Sequence, residues 1–371
     1  MSTTALPPTV SIEANSKQIL RGFHPGWFGA VLGTGIVGVA AYLNPGDQTG
    51  LLRAAHAIGV AVVILAWLVA VAIAVPYLLR LRRHPDAAAA DLRHPFTGAL
   101  YATFPAAILV LAVATATVGG SLLSADAVVA IVTVLAAVGG VATFATGVLF
   151  TYVLFSSDDL ATESANGGWF IPPVASMIIP LTLIPLLPHV SASNGRLLLF
   201  AGYAAFGLGF FLFLLVAAVL FGRLIFHALP PAQLAPSLWI GLGPISVGSL
   251  ALLRLGAAGK PFWGSEAATV QTVSSLAAAA FWGFGLWWLA TAALLLGRYL
   301  RRGGLPYSVG LWAVAFPLGA YTVATLQLAR SWHTGALEWV GAALFILLVG
   351  FWILVSASTL RAIRTGAAWK R

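Results

Sequence analysis

Cysteine is absent from the 371-residue chain, and charged side chains are scarce, at 8% of the residues. Without thiols the protein cannot form disulfides, use a cysteine nucleophile or hold an iron–sulfur cluster or a thiolate zinc site. A typical soluble domain carries about 25% charged residues, so this charge content excludes an ordinary soluble protein. Apolar side chains take the place of the missing charge, because 60% of the residues are hydrophobic.

Ten apolar runs, bounded by charges, glycine and proline, are long enough to cross a bilayer, since a crossing needs about 20 residues. We place these spans at residues 25–45, 51–79, 95–118, 126–155, 169–188, 196–225, 237–255, 270–297, 307–329 and 337–362. The sequence therefore predicts an all-α polytopic membrane domain over residues 23–363. A polar N-terminal tail, 1–22, lacks the apolar stretch of a signal peptide, and a short C-terminal tail, 364–371, follows the domain.

Carboxylates and imidazoles are missing from the middle of every predicted span. The acidic residues fall in tails, loops and span ends; they are Glu13, Asp47, Asp86, Asp91, Asp126, Asp158, Asp159, Glu163, Glu266 and Glu338. The seven histidines lie at span margins in the same way. The chain thus offers no proton relay inside the membrane, no histidine pair for haem, no metal cluster and no HExxH protease motif. We expect no cofactor, no metal and no enzymatic activity.

Basic residues are distributed unevenly between the two membrane faces. With the N-terminus in the cytoplasm, 14 of the 19 Lys and Arg residues fall on the cytoplasmic side, as the positive-inside rule requires. The count predicts an inner-membrane protein with both termini cytoplasmic, and it explains the net charge of +9 without nucleic acid. We interpret Arg80, Arg82 and Arg83 as topology and headgroup contacts. Arg254, on the other face, is the basic residue that could reach the bore, although a headgroup contact is the simpler interpretation.

The odd-numbered spans share a pattern that the even-numbered spans lack. Each odd span starts with proline or glycine and an aromatic residue, and a helix breaker follows two to three turns later. The breakers are Gly35, Pro105, Pro180, Pro244 and Pro317. Their spacing of 64 to 75 residues indicates five diverged copies of one helical hairpin.

An interior proline removes a backbone hydrogen bond, which a bilayer tolerates only where the helix faces protein or water. We therefore expect the odd spans to line an interior that their breakers shape, and the even spans to face lipid. In the first span, Gly33 and Thr34 stand beside Gly35 and share its predicted place at the pore. The alternative is that proline and glycine serve helix packing here, as they do in many membrane helices.

Hydroxyl groups are the polar side chains available near the breakers. They are Thr34, Tyr101, Thr103, Ser176, Ser246 and Thr322, of which we predict Thr34 and Thr103 to line the pore. Because no ring of carboxylates is present to attract cations, hydroxyl donors and helix N-termini favour a weakly held anion. The alternative for each hydroxyl is a bond to the carbonyl four residues earlier in its own helix.

Five stretches of the chain resemble the tellurite-resistance/dicarboxylate transporter family, which includes the plant slow-type anion channels and the fungal malate and sulfite transporters. The stretches are FHPGWFGAVLGTGIV at 23–37, SANGGWFIPPVASMIIP at 164–180, LWIGLGPISVGSLALL at 238–253, FWGFGLWW at 281–288 and GLWAVAFPLGAYTVATL at 310–326. They fall in five of the ten predicted spans, from the first to the ninth.

This resemblance implies ten helices as five hairpins around a quasi-fivefold pore, and a homotrimer with one pore in each subunit. In the channel members, a phenylalanine directly before the proline of the ninth helix occludes the pore, and Phe316 holds that position here. Without the resemblance, packing between inner helices would be the preferred role of Phe316. The long phosphorylated tails of the plant channels have no counterpart in this sequence, so gating by a kinase is not implied.

The function that we expect is a passive or weakly coupled permease for small anions, gated by Phe316. C4-dicarboxylates such as malate, sulfite and inorganic anions are the candidate substrates, and lipids and copies of the same chain are the other expected partners. Three alternatives stay open: a proton-coupled dicarboxylate or sulfite transporter, a membrane enzyme and a structural scaffold. The proton-coupled transporter would have to use a histidine at a span margin.

Overall fold

The computed structural model describes residues 12–43, 49–158 and 160–369, and these residues form helices without any strand. Ten of the helices are long and apolar enough to cross a membrane. As spans 1 to 10, counted with the adjoining 3₁₀ turns, they are, in chain order, Pro25–Leu43, Ala54–Arg83, Ala99–Ser121, Ala125–Phe155, Gly167–His189, Ala192–Phe226, Ala235–Ala258, Gly264–Arg301, Val309–Ser331 and Gly335–Arg364. The corresponding α-helices are Gly29–Leu43, Thr49–Arg83, Thr103–Val118, Ala125–Phe155, Ile171–Leu183, Ala192–Phe226, Leu242–Ala258, Ala267–Arg301, Trp312–Ser331 and Gly335–Arg364. The prediction of an all-α membrane protein with ten spans is confirmed.

Short helices complete the fold. An α-helix at Ile12–Gly22 precedes span 1, and another at Pro85–Arg93 follows span 2. The remaining elements are 3₁₀ turns at Pro25–Phe28, Ala99–Ala102, Gly119–Ser121, Thr162–Ser164, Gly167–Phe170, Ile184–His189, Ala235–Trp239, Lys260–Phe262, Gly264–Glu266, Val309–Leu311 and Ala367–Trp369. Several predicted features lie outside the described residues: positions 1–11 and 370–371 of the two tails, positions 44–45 of the first span, and Asp47 and Asp159.

The repeated start of the odd spans is visible in the structure, because every one of them begins with a 3₁₀ turn, as span 8 does among the even spans. Two of these turns are capped in the same way. His24 Nδ1 accepts a hydrogen bond of 3.1 Å from the Gly26 N–H, and Asn166 Oδ1 accepts one of 2.9 Å from the Gly168 N–H. Such caps satisfy N–H groups that a helix start leaves unpaired. The shared turn and cap support the hairpin repeat that the sequence indicates.

The helix-breaking prolines occupy two kinds of position. Pro180 and Pro317 lie inside their α-helices, as the sequence predicts. Pro105 and Pro244 are each the third residue of the α-helix, where a proline removes no helical hydrogen bond. These two prolines therefore follow the change from 3₁₀ to α-helix and do not interrupt a helix. Pro76 lies inside span 2, so an even span also contains a proline.

Odd and even spans differ sharply in burial. Between 67 and 89% of the residues in the apolar stretch of each odd span are buried inside the protein, against 17 to 22% in each even span. The odd spans therefore form the interior, and the even spans surround them with apolar outer surfaces. This division is the one that the breaker pattern predicts.

The helices are arranged as hairpins around a closed set of inner contacts. Each odd span packs most extensively against the even span that follows it, and it also contacts two other odd spans, in the cyclic order 1, 3, 5, 7, 9 and back to 1. Trp352 of span 10 connects the last hairpin to the first, because its Nε1–H donates a hydrogen bond of 3.1 Å to Thr34 Oγ1 of span 1. Trp369 packs on Trp27 with ring centroids 5.3 Å apart, so both described ends lie on one face, hereafter the terminal face.

One arginine contradicts our interpretation of the basic residues. Arg80, near the end of span 2, is fully buried because the short helix Pro85–Arg93 covers it. Its guanidinium pairs with Asp91 and donates to the Arg21 carbonyl at 2.9 Å. The headgroup interpretation is therefore wrong for Arg80. A contact with lipid headgroups stays a prediction for the exposed neighbours Arg82 and Arg83.

Candidate functional site

A cavity of about 230 Å³ extends into the protein from the terminal face, and every odd span contributes to its wall. We call it the central cavity. It is lined by His24, Gly26, Gly29, Leu32, Phe96, Leu100, Thr103, Ala106, Ile171, Val174, Gln233, Leu234, Ile240, Ser308, Val309, Gly310, Trp312, Ala313, Phe316 and Pro317. These residues lie in or close to the 3₁₀ turns at the starts of the five odd spans, so the repeated span start is what builds the cavity.

Phe316 and Pro317 lie deepest among the residues that span 9 contributes to the central cavity. The Phe316 side chain is 6% exposed. At Gly243, a methyl group would lie 3.4 Å from Val174 Cγ2 and 3.7 Å from Pro317 Cγ, so spans 5, 7 and 9 converge at this depth. Beyond it, residues 318–326 of span 9 are all buried. Phe316 and Pro317 are therefore the last residues of span 9 on the cavity wall.

The wall of the central cavity is mainly apolar, and its polar side chains lie near the terminal face. They are His24, Thr103, Gln233 and Ser308, and the described residues that line the cavity include no Asp, Glu, Lys or Arg. Thr103 donates to the Pro25 carbonyl at 2.6 Å. The Ser308 hydroxyl is buried and has no hydrogen-bond partner among the described residues. Ser308 is thus a donor that a ligand in this cavity can use.

Gln233 and Ser308 are missing from the sequence-based prediction. A signal for Ser308 was present, since it directly precedes the 3₁₀ turn at the start of span 9, as His24 directly precedes the first turn. An alignment of the five hairpin starts would have placed Ser308 at the position equivalent to His24. Gln233 lies two residues before the 3₁₀ turn at the start of span 7, and no equivalent pattern points to it.

Of the predicted pore residues, the structure brings Thr103, Phe316 and Pro317 together in the central cavity. Six others do not line it: Gly33, Thr34, Gly35, Pro105, Pro180 and Pro244. A Cβ atom at Gly33 would lie 2.9 Å from Ala315 Cβ, and one at Gly35 would lie 2.8 Å from Val110 Cγ1. Both glycines therefore sit where span 1 packs closely on another odd span. A role in shaping the pore stays a prediction for all six.

Three of the hydroxyls near the breakers bond to their own helices. Ser176 donates to Pro172 at 3.1 Å, Ser246 to Leu242 at 2.5 Å and Thr322 to Leu318 at 2.8 Å. Each acceptor is the carbonyl four residues earlier, which confirms the alternative interpretation for these side chains. Polar contacts for a ligand must therefore come from other groups.

A neighbouring cavity of about 330 Å³ shares His24, Gln233 and Ser308 with the central cavity. It lies on the terminal side, and the C-terminal turn contributes Trp369 to its wall. The two cavities together reach from the level of Phe316 towards the terminal face. Among the described residues, no group of three His, Asp or Glu side chains could hold a metal ion.

The chain is similar in sequence to several membrane transport proteins. The model of the voltage-dependent anion channel (SLAC1) family matches residues 22–360. An uncharacterized transporter of Methanocaldococcus jannaschii is 31% identical over 95% of this chain and 97% of its own length. The sulfite efflux pump of Trichophyton rubrum is 26% identical over 92% of this chain and 90% of its own. The malic acid transport protein of Schizosaccharomyces pombe is 25% identical over 58% of this chain and 51% of its own.

Proposed function

Because the chain belongs to the voltage-dependent anion channel (SLAC1) family, we propose that it conducts small anions through the centre of its five odd spans, with Phe316 as the gate. The observation that carries this proposal is the central cavity, to which all five odd spans contribute and in which Phe316 and Pro317 are the last lining residues of span 9. Relatives named for sulfite efflux and malic acid transport make sulfite and malate the first anions to test.

The physical basis of the gate is an apolar constriction. A narrow apolar bore excludes water, and an ion cannot enter it without its hydration shell, so a single ring blocks conduction without any charge. Phe316 directly precedes Pro317, which interrupts the hydrogen bonds of span 9. Since helices bend most readily at proline, this position allows the ring to move without unfolding the helix. The proposed open state displaces the ring towards one side of the bore.

The selectivity for anions follows from the groups that face the cavity. Cation pathways are lined with carboxylates, whereas the described lining of the central cavity has none. The side-chain groups that it offers include the Ser308 hydroxyl and the Gln233 amide, and both can donate hydrogen bonds. Donors without a fixed positive charge hold an anion weakly, which suits rapid passage.

Replacing Phe316 with alanine tests the gate. In proteoliposomes under voltage clamp, we expect Phe316→Ala to raise the sulfite, malate, nitrate and chloride currents about tenfold or more, which corresponds to a barrier lower by about 1.4 kcal/mol. Phe213→Ala is the matched control, because Phe213 is equally buried but lies on span 6, outside the cavity wall. The control should leave the currents per reconstituted protein unchanged.

Two results would count against the proposal. Equal currents in the wild-type protein and in Phe316→Ala would remove Phe316 as the gate. Currents no larger than those of protein-free vesicles, for both proteins and all four anions, would contradict anion conduction itself.

A proton-coupled transporter is the second candidate, and the position of His24 favours it. His24 lines both terminal-side cavities, and its ring is the titratable group on the wall of the central cavity near Ser308. Coupling predicts that an imposed pH gradient drives malate or sulfite uptake at clamped voltage, and that His24→Gln abolishes this dependence. Uptake that ignores the pH gradient would leave the passive channel as the better description.

The assembly and the orientation are further parts of the proposal. We expect a homotrimer in the cytoplasmic membrane, with the terminal face towards the cytoplasm, since 14 of the 19 Lys and Arg residues belong to that side. The apolar outer surfaces of the even spans supply the area for contacts between subunits. Native mass spectrometry tests the trimer, and labelling of single introduced cysteines by an impermeant reagent in intact cells tests the orientation.

A further inference from the structure

A second, more polar cavity lies at the face opposite the terminal face, away from Phe316. It has a volume of about 500 Å³ and is formed mainly by the last turns of spans 7 and 9 and the start of span 8. Its long polar side chains are Arg254, Gln271, Gln327 and Arg330. Gln327 follows Phe316 by 11 residues, or about 16 Å along the helix. We call this space the opposite cavity.

Among the described residues, the charged side chains that line the opposite cavity are both arginines. Arg254 and Arg330 both contribute to its wall, and the described lining residues include no Asp or Glu. The Arg330 guanidinium donates to the Leu43 carbonyl of span 1, which fixes its position at the rim. Within residues 12–43, 49–158 and 160–369, the Arg254 side chain forms no ion pair and no hydrogen bond. Its charge is therefore available to a ligand.

An ordinary headgroup contact does not account for this arrangement. An arginine at a span end usually extends to the lipid phosphates, and this would explain Arg254 alone. It does not explain why Gln271 and Gln327 approach the same space from two other spans. An anion that occupies the cavity accounts for both carboxamides and for Arg254.

We propose that the opposite cavity binds a small oxyanion, such as sulfite or a carboxylate of malate. A guanidinium group presents parallel N–H donors that match two oxygens of one anion, and carboxamide N–H groups can bind further oxygens. Chloride cannot span that fork. The site raises the local concentration of oxyanions at the mouth opposite Phe316. This inference rests on the proposed function for its choice of ligand.

Equilibrium binding of radiolabelled sulfite to the full-length protein in phosphatidylcholine nanodiscs tests the site. We expect Arg254→Gln to raise the dissociation constant for sulfite about tenfold, and Arg254→Lys to give an intermediate value because it keeps the charge and loses the fork. Arg196→Gln is the matched control: it removes one exposed charge from the start of span 6, outside the cavity wall, and should leave binding unchanged.

Gln327→Met provides an independent variant in case Arg254→Gln does not fold. It keeps the length of the side chain and removes the amide, and we expect it to weaken sulfite binding several-fold while chloride competes equally poorly in both proteins. Binding that is unaltered by Arg254→Gln and Gln327→Met would overturn the site. Equal binding by Arg254→Lys and the wild type would overturn the assignment to oxyanions, because charge alone would then suffice.

A lipid phosphate has the same chemistry as a soluble oxyanion, so the source is tested separately. Sulfite should bind equally well when phosphatidylglycerol replaces half of the phosphatidylcholine, whereas a loss of sulfite binding would assign the cavity to headgroups and overturn a soluble ligand. The outcome of the binding experiment is independent of the outcome of the current measurement on Phe316→Ala. Binding that depends on Arg254 would stand even if Phe316→Ala showed no current, and an anion current would stand without such binding.

Discussion

The odd and even spans are equally able to cross a membrane by length and composition, yet they have opposite surroundings. The odd spans are mostly buried against one another, and the even spans expose most of their residues. The inner spans are also shorter, with 19 to 24 residues against 30 to 38, and four of the five outer spans are more hydrophobic than every inner span. Length therefore separates the two sets, whereas a 3₁₀ turn at the start does not, because span 8 also begins with one.

The largest effect that we expect comes from Arg80, one of the buried residues of the even spans. It belongs to an even span but is fully buried and paired with Asp91. Removing one partner of a buried ion pair leaves an uncompensated charge, at a cost of about 3–5 kcal/mol. Arg80→Met should lower the thermal midpoint in detergent strongly, and the exposed neighbour variant Arg82→Met should not. Similar midpoints for the two variants would show that burial on an even span carries no energetic weight.

The second largest effect concerns two glycines, one on an inner span and one on an outer span. A Cβ atom at Gly319 of span 9 would lie 2.4 Å from Ile36 Cγ2 of span 1, whereas one at Gly350 of span 10 would meet nothing within 4 Å. Overpacking of this kind costs about 1–3 kcal/mol. We expect Gly319→Val to destabilise the protein by that amount and Gly350→Val to be neutral, as measured by thermal unfolding in the same detergent. A neutral Gly319→Val would mean that the inner helices can separate freely.

We expect a smaller effect from the prolines inside the helices, measured as anion current. Pro180 of span 5 is buried, whereas Pro76 of span 2 is half-buried on the outer ring. In the Phe316→Ala background, Pro180→Ala restores a backbone hydrogen bond in an inner helix and should change anion current a few-fold. Pro76→Ala should leave the current unaltered. Equal responses would argue that proline serves the same packing role in both sets of spans.

The smallest effect concerns an exposed pair at the terminal face. A hydrogen bond from Arg21 holds the pKa of Asp86 below its usual value. The stabilisation is therefore fully present above the pKa of Asp86 in the unfolded chain, and it is lost as the pH falls through the lowered pKa of the folded state. Because both side chains are exposed, Asp86→Asn should leave the thermal midpoint unchanged near neutral pH. It should make the midpoint slightly less dependent on pH below about 4, where the unfolded chain begins to bind a proton at Asp86.

Much of the fold could be predicted from the sequence, because span number and inner or outer position depend on local patterns. The apolar runs gave all ten spans, and the breakers identified the inner set even though Pro105 and Pro244 turned out to lie in first helical turns. A local sequence pattern is sufficient to predict a structural feature when that feature depends only on residues of the same helix.

The parts that could not be predicted depend on contacts between distant segments. Arg80 is buried by a short helix that follows it, and no pattern around Arg80 predicts that this helix folds back. Gln233 lines the central cavity from a loop, and the opposite cavity joins side chains of three spans. Such sites exist only once the hairpins are packed together. The position of Phe316 was available through the family resemblance, not through its neighbours in the sequence.

The closed order of inner contacts constrains how the protein can be made. Span 9 lies between spans 7 and 1, and the bonds from Trp352 to Thr34 and from Arg330 to Leu43 join residues some 300 positions apart. The ribosome must therefore finish nearly the whole chain before the last hairpin can enter. Until then, spans 1 and 7 lack the contacts that they make with span 9 in the folded protein. A protein truncated before span 9 would therefore have neither the closed ring of inner helices nor the complete central cavity.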